Sequence, residues 1–420
     1  MRLRHGLILM TLFAVISDAL LIPFYPQFFA ERYGEGSPWH VGAYVAFISI
    51  TVMCVFPLWV RVARRLETLH ILQYTQGIAA GLCLASYWAP DLVSYWGLSM
   101  AMFAFKSSYL LNFPYLMRTE TDDTRAGAIG LLSVTAHLGV VLGAVAGGAV
   151  IEHWGVRGCV LLMALADLVQ MALCTWLIRS RRMVPVLAED AEERAAPRRF
   201  SLRGHAAILK LAVVMLLFDF GAALVRPFFS LYWSSLGEVG GATGGHAGGH
   251  AGGELAAGAA FAVPKIVAVC ALLIHRWLTL PEQHPTRRTL ANLMLGALGL
   301  LLQAAPDIAT LLIGRVLLGW ALYQLVINFD VQLYQLSTPD DFGRDYGVIN
   351  IFQNCGVLLA SFTAGSLVAT LGLRAPFLVA CTAFLLAAAL WLWRFPKTRP
   401  ASRAPSITRD PEEFPNAPVA

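Results

Sequence analysis

The chain has 420 residues, of which 57% are hydrophobic and only 14% charged, with a formal net charge of +5. A soluble domain carries roughly 25% charged residues, so this composition excludes a water-covered globule and requires lipid over much of the surface. The positive excess is spread over short anchors between apolar runs, which speaks against a nucleic-acid-binding face.

A membrane-spanning helix needs about 20 mostly apolar residues. In chain order, such runs occupy 7–29, 39–60, 70–89, 92–116, 126–151 and 158–178. A second set occupies 207–233, 256–275, 289–305, 308–333, 347–371 and 376–393. Backbone in lipid must satisfy its own hydrogen bonds, so these twelve runs are read as helices, numbered spans 1 to 12. The short alternating segments of a transmembrane barrel are not seen. Run 1 is interrupted by Asp18, Pro23 and Pro26 and is followed by no small-residue cleavage site, so it is read as a span and not a secretory leader. The seven cysteines lie within or beside apolar runs with no CxxC pair, which points to small buried hydrophobes and neither a disulfide framework nor a metal site.

Lysine and arginine set the expected orientation. With the N-terminus placed in the cytoplasm, the outer loops hold only Arg32, Arg157 and Arg374, and the apolar runs hold Lys106, Arg226, Lys265 and Arg315. All other basic residues fall on the cytoplasmic side, the positive-inside pattern of an inner membrane protein with both termini in the cytoplasm.

The halves repeat. Gly42, Ala43, Ala46, Ile50 and Cys54 of span 2 recur 216 residues on as Gly258, Ala259, Ala262, Ile266 and Cys270 of span 8. Ala89-Pro90-Asp91 recurs at the same offset as Ala305-Pro306-Asp307, and Asn112-Phe113 as Asn328-Phe329. In spans 5 and 11 the offset is 217: Gly139, Gly148, Gly155 and Arg157 match Gly356, Gly365, Gly372 and Arg374. Pro23-Phe24 matches Pro227-Phe228 at 204, and a Gly/His-rich insertion at 237–254 accounts for the jump. Six spans per half make the repeats parallel, about an axis along the membrane normal. The expected domains are 1–179 and 207–395, two six-helix bundles, joined by a solvated linker over 180–206 and followed by a disordered tail over 396–420. His246 and His250, in the flexible insertion, make a poor metal site.

Charges inside spans are costly and face a cavity or one another. Asp18 lies mid-span 1, Lys106 mid-span 4, Asp219 mid-span 7, Arg226 two turns further, and Arg315 two turns into span 10. Asp219 and Arg226 are seven apart and share a helix face. Asp18 and Lys106 are placed to pair across the first half. Asp18 and Asp219 are candidates for proton coupling. Lys106, Arg226 and Arg315, with polar Asn112, Tyr25, Gln324 and Asn328, are candidates for substrate contact. Static salt bridges and packing are the competing readings. Lys265, beside Pro264, and His137 of span 5 are weaker candidates. Asp167 lies on span 6.

Six plus six parallel spans, a long central loop and termini on one face resemble the major facilitator superfamily over about residues 5–395. After span 2 the stretch Pro57-Leu-Trp-Val-Arg61-Val-Ala-Arg64-Arg65-Leu-Glu67 is similar to the family's G-x-L-A-D-R-x-G-R-R in its lead-in and at Arg65. It departs at Arg64, where the family has an acid, and at Glu67, where it has a glycine. In span 5, Gly139-x-x-x-Gly143-Ala144-x-x-Gly147-Gly148 resembles the motif of the superfamily's exporters, with Ala144 where proline is usual. Physically these glycines let helices approach closely. The resemblance implies spans 1, 4, 7 and 10 around a central cavity, and helix-packing or gating roles for Gly139, Gly143, Gly147, Gly148 and Arg65. It also implies a peripheral span 6, and Asp167 is set aside on that ground.

The expectation is an all-α protein of twelve transmembrane helices in two parallel six-helix repeats, not an enzyme. It is expected to exchange protons for a small anionic or zwitterionic molecule, siderophore or drug-like, and to export it by alternating access. No phosphate-binding G-x-x-x-x-G-K-[ST] occurs, so a proton gradient and not ATP supplies the energy. No cofactor, metal or obligate protein partner is expected, only a small-molecule substrate and the bilayer. A proton symporter importing a metabolite is the nearest alternative, and a non-transporting membrane sensor is the alternative from another class.

Overall fold

The computed structural model describes residues 3–119, 122–180, 206–241, 253–277, 285–337 and 342–394, and all regular structure in them is helical. Twelve spans result. The first half holds span 1 (Leu3–Tyr33), span 2 (Pro38–Val62), span 3 (Thr68–Tyr87), span 4 (Leu92–Thr119), span 5 (Asp122–Trp154) and span 6 (Val156–Arg179). The second holds span 7 (Ala206–Gly241), span 8 (Glu254–Trp277), span 9 (Pro285–Gln303), span 10 (Ile308–Leu336), span 11 (Phe342–Leu371) and span 12 (Ala375–Arg394). Among the described residues, nine helices are long and apolar enough to cross a membrane on those grounds alone. Spans 3, 4 and 9 fall short for visible reasons. Span 3 carries His70, Gln73, Thr75 and Gln76, span 4 breaks midway, and span 9 opens with Arg287 and Arg288.

The linker at 181–205, the tail beyond 394 and most of the insertion, with His246 and His250, lie outside the described residues. Within 237–254, the second piece of span 7 continues as helix to Gly241, and Glu254 opens span 8, so the ends of that stretch are helical and not loop.

The internal repeat has structural counterparts. Asp91 and Asp307 both cap the helix that follows: Asp91 Oδ1 accepts the Ser94 N–H at 2.8 Å and Asp307 Oδ2 the Thr310 N–H at 2.7 Å. Gly155 and Gly372 close spans 5 and 11 with φ of 73° and 86°, where a side chain is strained. Each donates back to the carbonyl four residues earlier, of Ile151 and Val368.

Within a half, span 5 packs on span 1, span 3 on span 6, span 11 on span 7, and span 9 on spans 10 and 12. Phe384 of span 12 is fully buried between two glycines: a Cβ on Gly221 or Gly296 would stand 2.8 or 2.6 Å from its ring. Lipid tails are as apolar as the core, so such close fits, not exclusion from water, hold the helices together.

The halves meet along two crossings, span 2 with span 11 and span 5 with span 8. The repeated glycines lie there. A Cβ on Gly42 would come within 2.8 Å of the Ser361 carbonyl, and one on Gly365 would strike the Pro38 carbonyl. Its counterpart Gly258 abuts the Ala144 carbonyl, and Gly148 abuts that of Glu254. All four contacts lie toward the face opposite the termini. Toward the terminal face, Gly127, Gly130 and Gly347 have nothing within 4 Å of an added Cβ. Among the described residues, the glycine contacts between the halves thus lie toward one face.

Candidate functional site

Three spans abandon α geometry at mid-depth. Span 1 passes through a 3-10 turn at Ile22–Phe24, span 4 through one at Ser107–Leu111, and span 7 breaks between Leu224 and Phe229. Pro23, Pro26, Pro114 and Pro227 account for this, because each removes an N–H from the ladder. The freed carbonyl of Pro23 is taken by the Ser230 hydroxyl of span 7, which also accepts from Gln27 Nε2 at 2.8 Å.

Around these breaks lies a cavity of about 220 Å³. Its polar lining comes from both halves: Asp18 and Tyr25 of span 1, Lys106 and Tyr109 of span 4, Arg226 of span 7 and Ser361 of span 11. Ile22, Val45, Ile48, Phe103 and Val357 supply apolar wall. Spans 1, 4 and 7 line it as expected. Spans 2 and 11 join them, and no residue of span 10 lines it.

In the first half the charges form a compact cluster. Lys106, 1% exposed, places Nζ 3.0 Å from Asp18 Oδ1 and 3.6 Å from Asp167 Oδ1, and donates to Ser17 Oγ at 2.6 Å. Ser17 Oγ lies 3.4 Å from Asp167 Oδ1, and Gln170 Nε2 donates to the same oxygen at 3.2 Å. Asp167 is 0% exposed, whereas Asp18 is 27% exposed and reaches the cavity. Gln76 of span 3, also buried, holds the Lys106 carbonyl at 3.3 Å and Ser108 Oγ at 3.1 Å. The expected Asp18–Lys106 pair is present as part of a triad.

Across the cavity, the Arg226 side chain is exposed to it, and Nε donates to its own-turn Ala222 carbonyl at 3.2 Å. That leaves the terminal nitrogens of the guanidinium fork toward the cavity. Asp219, earlier in span 7, has Arg226 and Lys265 as its charged neighbours and Gln353 of span 11 beside it. Its Oδ2 is buried without a partner. Lys265 in turn faces His137 of span 5. The second half thus carries more cation than carboxylate around the cavity, and the first half the reverse.

Other expected site residues stand elsewhere. Arg315, 3% exposed, is directed into span 8: Nε donates to the Ala260 carbonyl at 3.1 Å, a terminal nitrogen to that of Phe261, and the fork lies 4.1 Å from the Phe229 ring centroid. Pro264 explains this, since its missing N–H leaves Ala260 without a helical donor. Gln324 accepts from Arg288 of span 9. Asn112, 2% exposed, has no side-chain partner, and neither it nor Asn328 lines the cavity. Tyr25 does, its ring edge-on to Tyr44 at 5.1 Å. Gly139, Gly143 and Gly147 seat span 5 on Val15, Ile16 and Leu20 of span 1, while Gly148 turns to span 8. Arg65 is exposed at the terminal face, where neighbouring Glu67 accepts the Tyr115 hydroxyl at 2.7 Å.

Asp167, Ser17 and Gln76 were not singled out by sequence. Asp167 is a carboxylate inside an apolar run, the signal used for the others, and only its place on span 6 weighed against it.

Residues 7–306 and 282–418 match the model of the Major Facilitator Superfamily. The multidrug resistance protein MdtG of Klebsiella pneumoniae is 27% identical over 297 residues, 66% of this chain. The chain spans only 65% of the length of that relative. The nucleoside transporter NupG superposes with a TM-score of 0.73 at 12% identity, covering 95% of this chain and all of the other. The human organic anion transporter MFSD10 gives 0.64 at 14% identity, covering 93% and 99%.

Proposed function

The chain belongs to the major facilitator superfamily, a family of transporters and not of enzymes, and on that premise we propose that it exchanges protons for an amphipathic organic anion or zwitterion and exports it. The observation that carries the reading is the Arg226 guanidinium, open to a cavity shared by both halves and facing apolar and aromatic wall. A carboxylate or similar anion satisfies such a fork with charge-assisted hydrogen bonds. Ile22, Phe103 and Val357 suit an apolar body.

The interface supports alternating access. Rocking about the span 2–11 and span 5–8 crossings, where the glycines of the two halves meet, would expose the cavity to one side at a time. The positive-inside pattern supports a terminal face in the cytoplasm of a bacterial-type inner membrane. Asp18 and Asp219 are the proton carriers in this reading, because each carboxylate neighbours a cation and Asp18 is open to the cavity. Export is favoured by the glycine face of span 5 and by the similarity to a multidrug resistance protein.

The test is solute profiling of a deletion strain and its complemented parent, in iron-replete and iron-starved growth. Export predicts an anionic compound trapped in the deletion strain and returned to the medium by complementation. A compound left unused in the medium overturns export in favour of import.

A further inference from the structure

The buried triad holds two carboxylates and one ammonium, all from different spans. Asp18 comes from span 1, Lys106 from span 4 and Asp167 from span 6, with Lys106 within 3.6 Å of both acids. The three groups differ in access. Asp18 faces the cavity, whereas Lys106 and Asp167 are 1% and 0% exposed, and Asp167 Oδ2 has no partner at all. An uncompensated buried charge is far costlier than a compensated one. A simple Asp18–Lys106 pair is neutral, and a proton added to it leaves the buried ammonium alone. The second acid changes that balance.

We propose that Asp167 is the fixed counter-charge of Lys106, a positioning residue that frees Asp18 to take a proton from cavity water and return it. The triad then alternates between a monoanion and a neutral cluster. Protonation converts the Asp18 carboxylate to a carboxylic acid while Lys106 remains paired with Asp167, and deprotonation reverses it. Ser17, donating toward Asp167 and accepting from Lys106, holds the inner pair in both states.

The other groups around Asp18 leave this count unchanged. Tyr109 stands beside it from span 4, Tyr25 faces it from span 1, and Cys83 of span 3 stands beside Lys106 and Asp167. Span 5 meets span 1 through Gly139, Gly143 and Gly147, which bear no charge. Arg226 lines the same cavity from the other half.

The inference rests on the proton-coupled reading above, but its test needs neither solute nor gradient. Purified full-length protein is acidified in an infrared cell, and the carbonyl-stretch band of protonated carboxyl groups is followed. Wild type is expected to gain a component that Asp18→Asn lacks. Asp167→Asn is expected to lack it too, although Asp18 is intact. Asp167→Glu, which keeps the charge, is expected to retain it. The double variant Lys106→Met with Asp167→Asn, which restores the net charge of the triad, is expected to regain it. A wild-type component in Asp167→Asn, or its loss in Asp167→Glu or in the folded double variant, overturns the counter-charge role. Survival of the component in Asp18→Asn assigns the proton to Asp167 and overturns the proposal. If the spectra follow the charge count but no proton-driven flux is found, it is the transport reading that fails.

Discussion

Arg315 of span 10 lies 3.1 Å from the carbonyl oxygen of Ala260 in span 8, the acceptor that Pro264 strips of its helical donor. A proline kink in one helix is thus made good by a guanidinium from its neighbour. Gly319, one turn further along span 10, lets the helices close: a Cβ there would stand 2.7 Å from Pro264 Cα.

Arg315→Met is therefore expected to lower stability, by about 1–3 kcal/mol for each buried acceptor left unpaired. Arg315→Lys should recover little, since a single ammonium does not reproduce the fork. Thermal unfolding in detergent checks this. A variant that melts like wild type yet loses solute affinity would return Arg315 to the binding site.

Arg226→Ala is expected to weaken binding of the transported anion. Hydrogen bonds to charged groups contribute about 1.5–3 kcal/mol, so affinity should fall roughly 10- to 100-fold. Titration of the compound identified by profiling measures it, and unchanged affinity would leave Arg226 a structural residue.

Gly148→Leu is expected to destabilise the conformer seen here by forcing spans 5 and 8 apart where Gly148 abuts the Glu254 carbonyl. A shift of about 1.4 kcal/mol changes the ratio of the two states tenfold. Spin-label distances across the terminal face should shorten as the population moves to the opposite state. Gly347→Leu, where an added Cβ meets nothing within 4 Å, serves as the control.

The caps give a pH dependence. The Ser94 backbone N–H, with its hydroxyl, holds the Asp91 carboxyl below the usual carboxylate range, and the Thr310 hydroxyl with its N–H does the same for Asp307. A depressed acid stabilises the fold above its unfolded pKa, and that contribution is lost as pH falls through the lower, folded value. Asp91→Asn and Asp307→Asn should both melt lower at neutral pH, and the difference from wild type should shrink in acid. A constant difference across pH would show that the ionised form is not what caps these helices.

Much of the fold was legible because the bilayer imposes it. Twelve apolar runs became twelve helices, and the glycines matched by the internal offset turned out to share structural tasks. Gly42 and Gly258 lie on the crossings between halves, while Gly139 and Gly356 seat spans 5 and 11 on spans 1 and 7. The deep charges were legible as deep, but not their partners. The direction in which a span is turned depends on packing, and sequence depth alone carries no rotation. Arg315 was read as facing the cavity because its span was expected to line it, yet it turns to span 8. Asp167 was set aside because span 6 was expected at the periphery, yet it is fully buried against Lys106.

The mid-depth breaks in spans 1, 4 and 7 have one more consequence. In an intact helix, bending costs hydrogen bonds. Here the α-helical ladder is already interrupted at Ile22–Phe24, at Ser107–Leu111 and after Leu224, with shorter 3-10 bonds in its place. Each of these spans is two short rods on a pliant joint, and the three joints ring the cavity. An occupant that fills the ring would brace all three joints at once. Its binding should register first as slowed amide exchange at these joints, before any rigid-body movement of the bundles.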